Sequence, residues 1–137
     1  MLILDTDHLS EMERGSPSGI ALEIKLIRSG DVAVSTIISA EEQLRGWLAQ
    51  IARRDVHDQV DPYRRLQARL AFYAKWTLLP WTPGAADRYI MLRQNKVRIG
   101  PMDLKIASIA LEHGGTVLSQ NLADFKQVPG LRVESWL

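Results

Sequence analysis

The chain has 137 residues, 46% of them hydrophobic, no cysteine and a formal net charge of +1. That length suits a single core, so one domain over residues 1–137 is expected. Disulfides and thiolate zinc centres are excluded, and near-neutrality leaves no whole-molecule field with which to attract nucleic acid.

No apolar run approaches the roughly 18 residues of a membrane-spanning helix. The opening Met1–Leu4 is too short for a signal-peptide core and meets Asp5 at once. No membrane association and a cytoplasmic location are the default expectations.

In chain order, Leu2-Ile3-Leu4 reads as a strand buried on both faces, because its apolar residues run continuously instead of alternating. It ends in Asp5-Thr6-Asp7, and Glu11 to Gly15 reads as the end of a short helix. Ile20, Leu22, Ile24, Leu26 and Ile27 suit a helix closed by Gly30. Val32 to Thr36 reads as a second buried strand. Ser39 is the expected N-cap of the next helix, with Glu42 at capping-box spacing and Leu44, Trp47, Leu48 and Ile51 behind it.

Asp61-Pro62 opens a further helix that continues to Trp76. Thr77 to Trp81 looks like a short strand, and Pro83-Gly84 restarts a helix through Arg93. Gly100-Pro101 starts the clearest helix, with Leu104, Ala107, Ile109, Ala110 and Leu111 on one wide stripe and Gly114-Gly115 at its end. Thr116 to Ser119 and Leu131 to Glu134 are the fourth and fifth strands. Strands separated by helices throughout predict a three-layer α/β/α domain on a mainly parallel sheet of about five strands. In such sheets the crevice lies at the carboxyl ends of the strands, where the strand order reverses.

Four acids fall at such ends. Asp5 closes the first strand, Glu42 lies in the helix after the second, Asp103 opens the helix leading to the fourth, and Asp124 follows that strand. Each alone has a plain structural role as a turn residue, a capping acid or a complement to a helix dipole. Their coincident placement suggests one crevice. Converging carboxylates need a cation to compensate them, or their pKa values must rise. Oxygen donors without cysteine or paired histidines suit Mg²⁺, or Mn²⁺, and hydrolysis of a phosphodiester is the chemistry such a site serves best.

Basic residues crowd two stretches, Arg45 to Lys75 and Arg88 to Arg98. The first reads as solvated helix faces. In the second, Arg93, Lys96 and Arg98 stand just before Asp103 and are candidate RNA phosphate contacts. The aromatic and apolar residues between Trp47 and Trp76 suit ordinary core, with a dimer or partner surface as the alternative. His8, His57 and His113 have no ligand-like spacing, and a turn or surface role is expected for His8.

These residues resemble the PIN-domain ribonuclease toxins of toxin–antitoxin pairs, the VapC-like proteins, over nearly the whole length. LILDTDHLS is similar to the family's first strand and Asp-Thr-Asn or Asp-Thr-Asp turn. VSTIISAEEQLRG matches its second strand and a helix with Glu four residues before Gly, which selects Glu42 because Gly46 is that glycine. IGPMDLKIASIALEHGGTVLSQNLADFKQVPGLRVESW is similar to its Asp before an Ile-Ala helix, a strand, a Thr-x-Asn-x-x-Asp-Phe motif and a closing strand.

The resemblance implies that Asp5, Glu42, Asp103 and Asp124 bind the metal and carry catalysis. Thr6, Ser119 and Asn121 would be supporting polar residues, Ser119 standing where the family usually has Thr. Asp7 stands where many members have Asn, and capping the next turn is its expected role. The resemblance also implies a homodimer, inhibition by a small antitoxin that can itself bind DNA, and tRNA or ribosomal RNA as substrate.

Rival readings are a phosphatase of the haloacid-dehalogenase type, a phosphoacceptor receiver module and a catalytically inert protein-binding module. The first expects Thr or Val where Leu9 stands, two residues after its second Asp, and also a late acidic pair. The receiver expects an Asp where the third strand ends in Pro80-Trp81-Thr82. The inert module has no use for four acids so placed.

Overall fold

The computed structural model describes residues 1–137. Its strands are β1 (Leu2–Leu4), β2 (Ala33–Thr36), β3 (Leu78–Leu79), β4 (Thr116–Leu118) and β5 (Arg132–Glu134). Its helices are α1 (Thr6–Arg14), α2 (Pro17–Ser29), α3 (Ile37–Ala52), α4 (Val60–Tyr73), α5 (Pro83–Gln94), α6 (Pro101–His113) and the short α7 (Leu122–Phe125). A 3-10 turn, Val56–Gln59, precedes α4. The strands form one sheet in the order β3-β2-β1-β4-β5, and every pairing is parallel.

Alternation along β1 divides the core in two. Ile3 packs with Val34, Val117 and the helices α5 and α6 on one face of the sheet. Leu2 and Leu4 pack with Leu9, Leu22, Leu26 and Tyr73 from α1, α2 and α4 on the other. Helices on both faces explain why β1 is apolar without interruption. The expected three-layer α/β/α architecture is the observed one.

Local chemistry sets the helix ends. Gly30 and Gly114 close α2 and α6 in the left-handed conformation, φ +69° and +62°, as the sequence predicts. Two boundaries differ from expectation. α1 begins directly after β1, at Thr6, because Asp5 caps it by accepting from the Thr6 amide. The N-cap of α3 is Thr36, not Ser39: its hydroxyl accepts from the Ser39 amide at 3.1 Å, and β2 passes into the helix without a loop.

Two further expectations change. α6 shows more than a stripe, because Ile106 and Ser108 are buried together with Leu104, Ala107, Ile109 and Ala110. A helix buried nearly all round is central to its layer, and Ser108 satisfies its hydroxyl on the Leu104 carbonyl at 2.7 Å. The expected strand over Thr77 to Trp81 is only Leu78–Leu79, since Pro80 cannot continue the ladder.

Candidate active site

In this strand order β1 leads to β2 on one side, and β4 returns to the other side of β1. The reversal point lies between β1 and β4, whose carboxyl ends carry Asp5 and the Ser119–Asn121 turn. Asp5 is 7% exposed. Its backbone N–H donates to the Leu118 carbonyl at 3.0 Å, tying the two strand ends together. Its Oδ1 accepts from the Thr6 amide at 2.7 Å and its Oδ2 from the Ser119 hydroxyl at 2.8 Å. Burial pushes this carboxyl up to about 6; the two hydrogen bonds oppose the rise, and the charges of Asp7 and Asp103 add to it.

Glu42 lies in the second turn of α3, beyond the reach of a cap. Burial and the charges of Asp5, Asp103 and Glu41 push its carboxyl up to about 7. Its Oε1 is buried with no hydrogen-bond partner. Asp103, in the first turn of α6, is raised by burial and by the charges of Asp124 and Asp7, against a hydrogen bond from Asn121. That side-chain amide donates to Asp103 Oδ2 at 2.8 Å and to Asp124 Oδ2 at 3.0 Å. The fold therefore gathers the four predicted acids from β1, α3, α6 and α7 into one electrostatically coupled group, with Ser119 on Asp5 and Asn121 between the last two. The Thr6 hydroxyl is buried and unpartnered, so only the backbone of Thr6 serves Asp5.

Asp7 is a fifth acid of this group. Burial alone would raise its carboxyl, but hydrogen bonds from His8 and the Gln120 amide prevail and hold it below the ordinary range. Its Oδ2 accepts from Gln120 at 2.8 Å. His8 is fully buried, contrary to the expected turn or surface position. Its Nδ1 lies 2.5 Å from Asp7 Oδ1, and its Nε2 accepts from the Trp136 amide at 3.1 Å.

The basic candidates divide. Arg93 spends its guanidinium on the carbonyls of Val97 and Ile99, at 3.2 and 3.1 Å, and packs over the Tyr89 ring. It thereby braces the turn leading to α6. Lys96, held at φ +63°, and Arg98 are exposed in that turn. In the earlier stretch, Arg45 and Arg65 pair with Glu41 and Asp61 on their own helices, as solvated helix faces do, whereas Arg69 of α4 reaches Glu13 of α1 in a largely buried pair.

The aromatic stretch is also mixed. Tyr73 is buried, Trp76 and Phe72 pack against the core, and Tyr63 and Leu70 are exposed. Beside Glu42 lies an open hollow of about 230 Å³ lined by Gln43, Gly46, Trp47 and Gln50.

No three Asp, Glu or His side chains stand close enough together to hold a metal ion as they are. The donor chemistry nonetheless fits a hard divalent cation. All donors are oxygens, one buried Glu42 oxygen has no partner, and burial with like charge raises Asp5, Glu42 and Asp103 together.

A wholly parallel sheet with carboxylates gathered at its reversal point defines an α/β protein with an acid cluster at the carboxyl ends of its strands. The PIN domain family profile matches residues 2–131, and the chain belongs to that family. It is 32% identical over 79 residues to the tRNA(fMet)-specific endonuclease VapC of Salmonella typhimurium, a match spanning 55% of this chain and 60% of that enzyme. With Ribonuclease VapC2 of Rickettsia felis it shares 28% identity over 111 residues, covering 81% and 78% of the two chains.

Among solved structures, the fold resembles the DNA-bound VapBC of Salmonella typhimurium, with TM-score 0.74, 23% identity and coverage of 99% and 98%. It also resembles VapBC2 of Rickettsia felis bound to a promoter DNA fragment, with TM-score 0.72, 20% identity and the same coverage.

Proposed function

We propose that the chain is a Mg²⁺-dependent endoribonuclease, the toxin of a toxin–antitoxin pair, which hydrolyses phosphodiester bonds of structured RNA such as tRNA or ribosomal RNA. The observation that carries this reading is the coupling of Asp5, Glu42, Asp103 and Asp124 at the reversal point of the sheet. Relatives named as ribonucleases support the reaction class. Solved neighbours that are VapBC and FitAB complexes support an antitoxin partner. No helix is long and apolar enough to cross a membrane, and we place the protein in the cytoplasm as a homodimer.

The four acids are the residues that would hold Mg²⁺, or Mn²⁺. A divalent ion held there would offset their charge and supply Lewis-acid chemistry, polarising a phosphoryl oxygen and lowering the pKa of a water. The chain's own residues do the rest. Ser119 and the Thr6 amide fix both oxygens of Asp5, so its carboxylate has one orientation. Asn121 holds Asp103 and Asp124 in register. Glu42, whose buried Oε1 has no partner within the protein, keeps an oxygen free for the ion or its water. Lys96 and Arg98, exposed in the turn before α6, meet RNA phosphates.

Water as nucleophile leaves a 5′-phosphate and a 3′-hydroxyl. The test is end analysis of cleaved RNA, with ligation requiring a 5′-phosphate as the readout. Ends of that type are expected, and 2′,3′-cyclic phosphates would refute the mechanism.

A further inference from the structure

A chain of hydrogen bonds runs from the segment after β5 to the acid cluster, and its direction is fixed at both ends. The Trp136 amide donates to His8 Nε2 at 3.1 Å. A backbone N–H can only donate, so Nε2 carries no proton and the neutral ring bears its proton on Nδ1. Nδ1 in turn faces Asp7 Oδ1 at 2.5 Å, an oxygen that also accepts from the His8 amide at 2.6 Å. At the far side, Asp7 Oδ2 accepts from the Gln120 amide at 2.8 Å, with the Ser119 hydroxyl at 3.3 Å. Donors face both oxygens of Asp7. An amide side chain there would turn its NH₂ against one of them.

We propose that Asp7 and His8 are positioning residues of the active site. Asp7 anchors the Ser119–Asn121 turn, His8 fixes the orientation of Asp7, and the backbone at Trp136 fixes the ring of His8. The turn so held delivers Ser119 to Asp5 and Asn121 to Asp103 and Asp124. Around Trp136 the segment is itself fastened. Its indole N–H donates to Glu134 at 2.8 Å, and Lys25 of α2 lies 4.5 Å from the ring centre. His8 has no exposed surface, and the hydrogen bonds of His8 and Asp7 run to Trp136, Gln120 and Ser119 and not to the four acids themselves. Their effect is therefore on geometry and not on substrate contact.

The catalytic part of this proposal rests on the nuclease reading, so the test has an arm that needs no RNA. Nitrogen-15 NMR of the full chain should show His8 as the neutral Nδ1–H tautomer. Asp7→Asn should speed amide exchange at Gln120 by about tenfold, the equivalent of one hydrogen bond. An Nε2–H tautomer, or unchanged exchange at Gln120, overturns the proposal whatever the protein cleaves.

In the RNA arm, folded Asp7→Asn and His8→Ala should each lower kcat by about 10–100-fold with KM nearly unchanged. The double variant should be no worse than the weaker single, because both act through one chain. Multiplying losses, or a full kcat in folded Asp7→Asn, would contradict it.

Discussion

Asn121 Nδ2 donates to Asp103 Oδ2 at 2.8 Å, joining the loop after β4 to the first turn of α6 across 18 residues of sequence. The same amide donates to Asp124, so one neutral side chain separates two carboxylates that would otherwise repel. Asn121→Ala should leave the fold intact and lower kcat/KM for RNA by about 10–100-fold, as loss of a ligand-orienting partner does. Asn121→Asp, which adds a negative charge, should be worse than the alanine variant. Single-turnover cleavage compares them, and equal rates for wild type and Asn121→Ala would remove Asn121 from the site.

Stability should depend on pH with a definite sign. Asp5 and Glu42 have folded-state values near 6 and 7, raised above those of the unfolded chain. The native state therefore binds more protons than the unfolded state between about pH 4 and 7, and stability falls as pH rises through that window. In chelator, Tm should drop from pH 5 to pH 8. Added Mg²⁺ should restore it more at pH 8 than at pH 5, because the ion competes with protons for the same oxygens. Calorimetry across this range measures both slopes, and a Mg²⁺ effect larger at pH 5 contradicts the assignment.

Packing of α2 against α1 depends on the missing side chain of Gly19. A Cβ at that position would stand 2.0 Å from the Glu11 carbonyl oxygen, a backbone atom that cannot rotate away. Gly19→Ala should destabilise the fold by about 1–3 kcal/mol despite its better helix propensity. Urea unfolding gives the value, and a stabilised variant would contradict this packing.

The basic turn before α6 should show two separable effects. Lys96→Ala and Arg98→Ala should each weaken RNA binding and reduce the salt slope by about one, with stability preserved. Arg93→Ala should lower stability by about 1 kcal/mol, since it frees the Val97 and Ile99 carbonyls. A salt titration of binding beside a melting curve distinguishes the roles. An unchanged salt slope in both lysine and arginine surface variants would exclude them as phosphate contacts.

Much of this arrangement was legible because its causes are local. Apolar runs set β1, β2 and β4, glycines end α2 and α6, and the positions of Asp5 and Asp103 at element ends follow from that segmentation. Other features depend on partners distant in sequence. His8 looks like a turn residue until Trp136, 128 positions away, supplies its amide. Asp7 likewise reads as a local cap, yet it reaches Gln120. Ser39 and Thr36 are both chemically able to cap α3. Because β2 extends to Thr36, that residue caps and Glu42 moves inward from a cap to the site. Arg93 has a charge suited to phosphate, but the carbonyls of its own turn lie closer.

The central claim is that the four gathered acids make one metal-dependent ribonuclease site. Its most direct test is cleavage of a small-RNA pool by wild type and Asp5→Asn, each with Mg²⁺ and with chelator. The account predicts discrete cuts by wild type in Mg²⁺ alone, abolished in the folded Asp5→Asn variant. Equal cutting by both proteins, or cuts that persist in chelator, would contradict it.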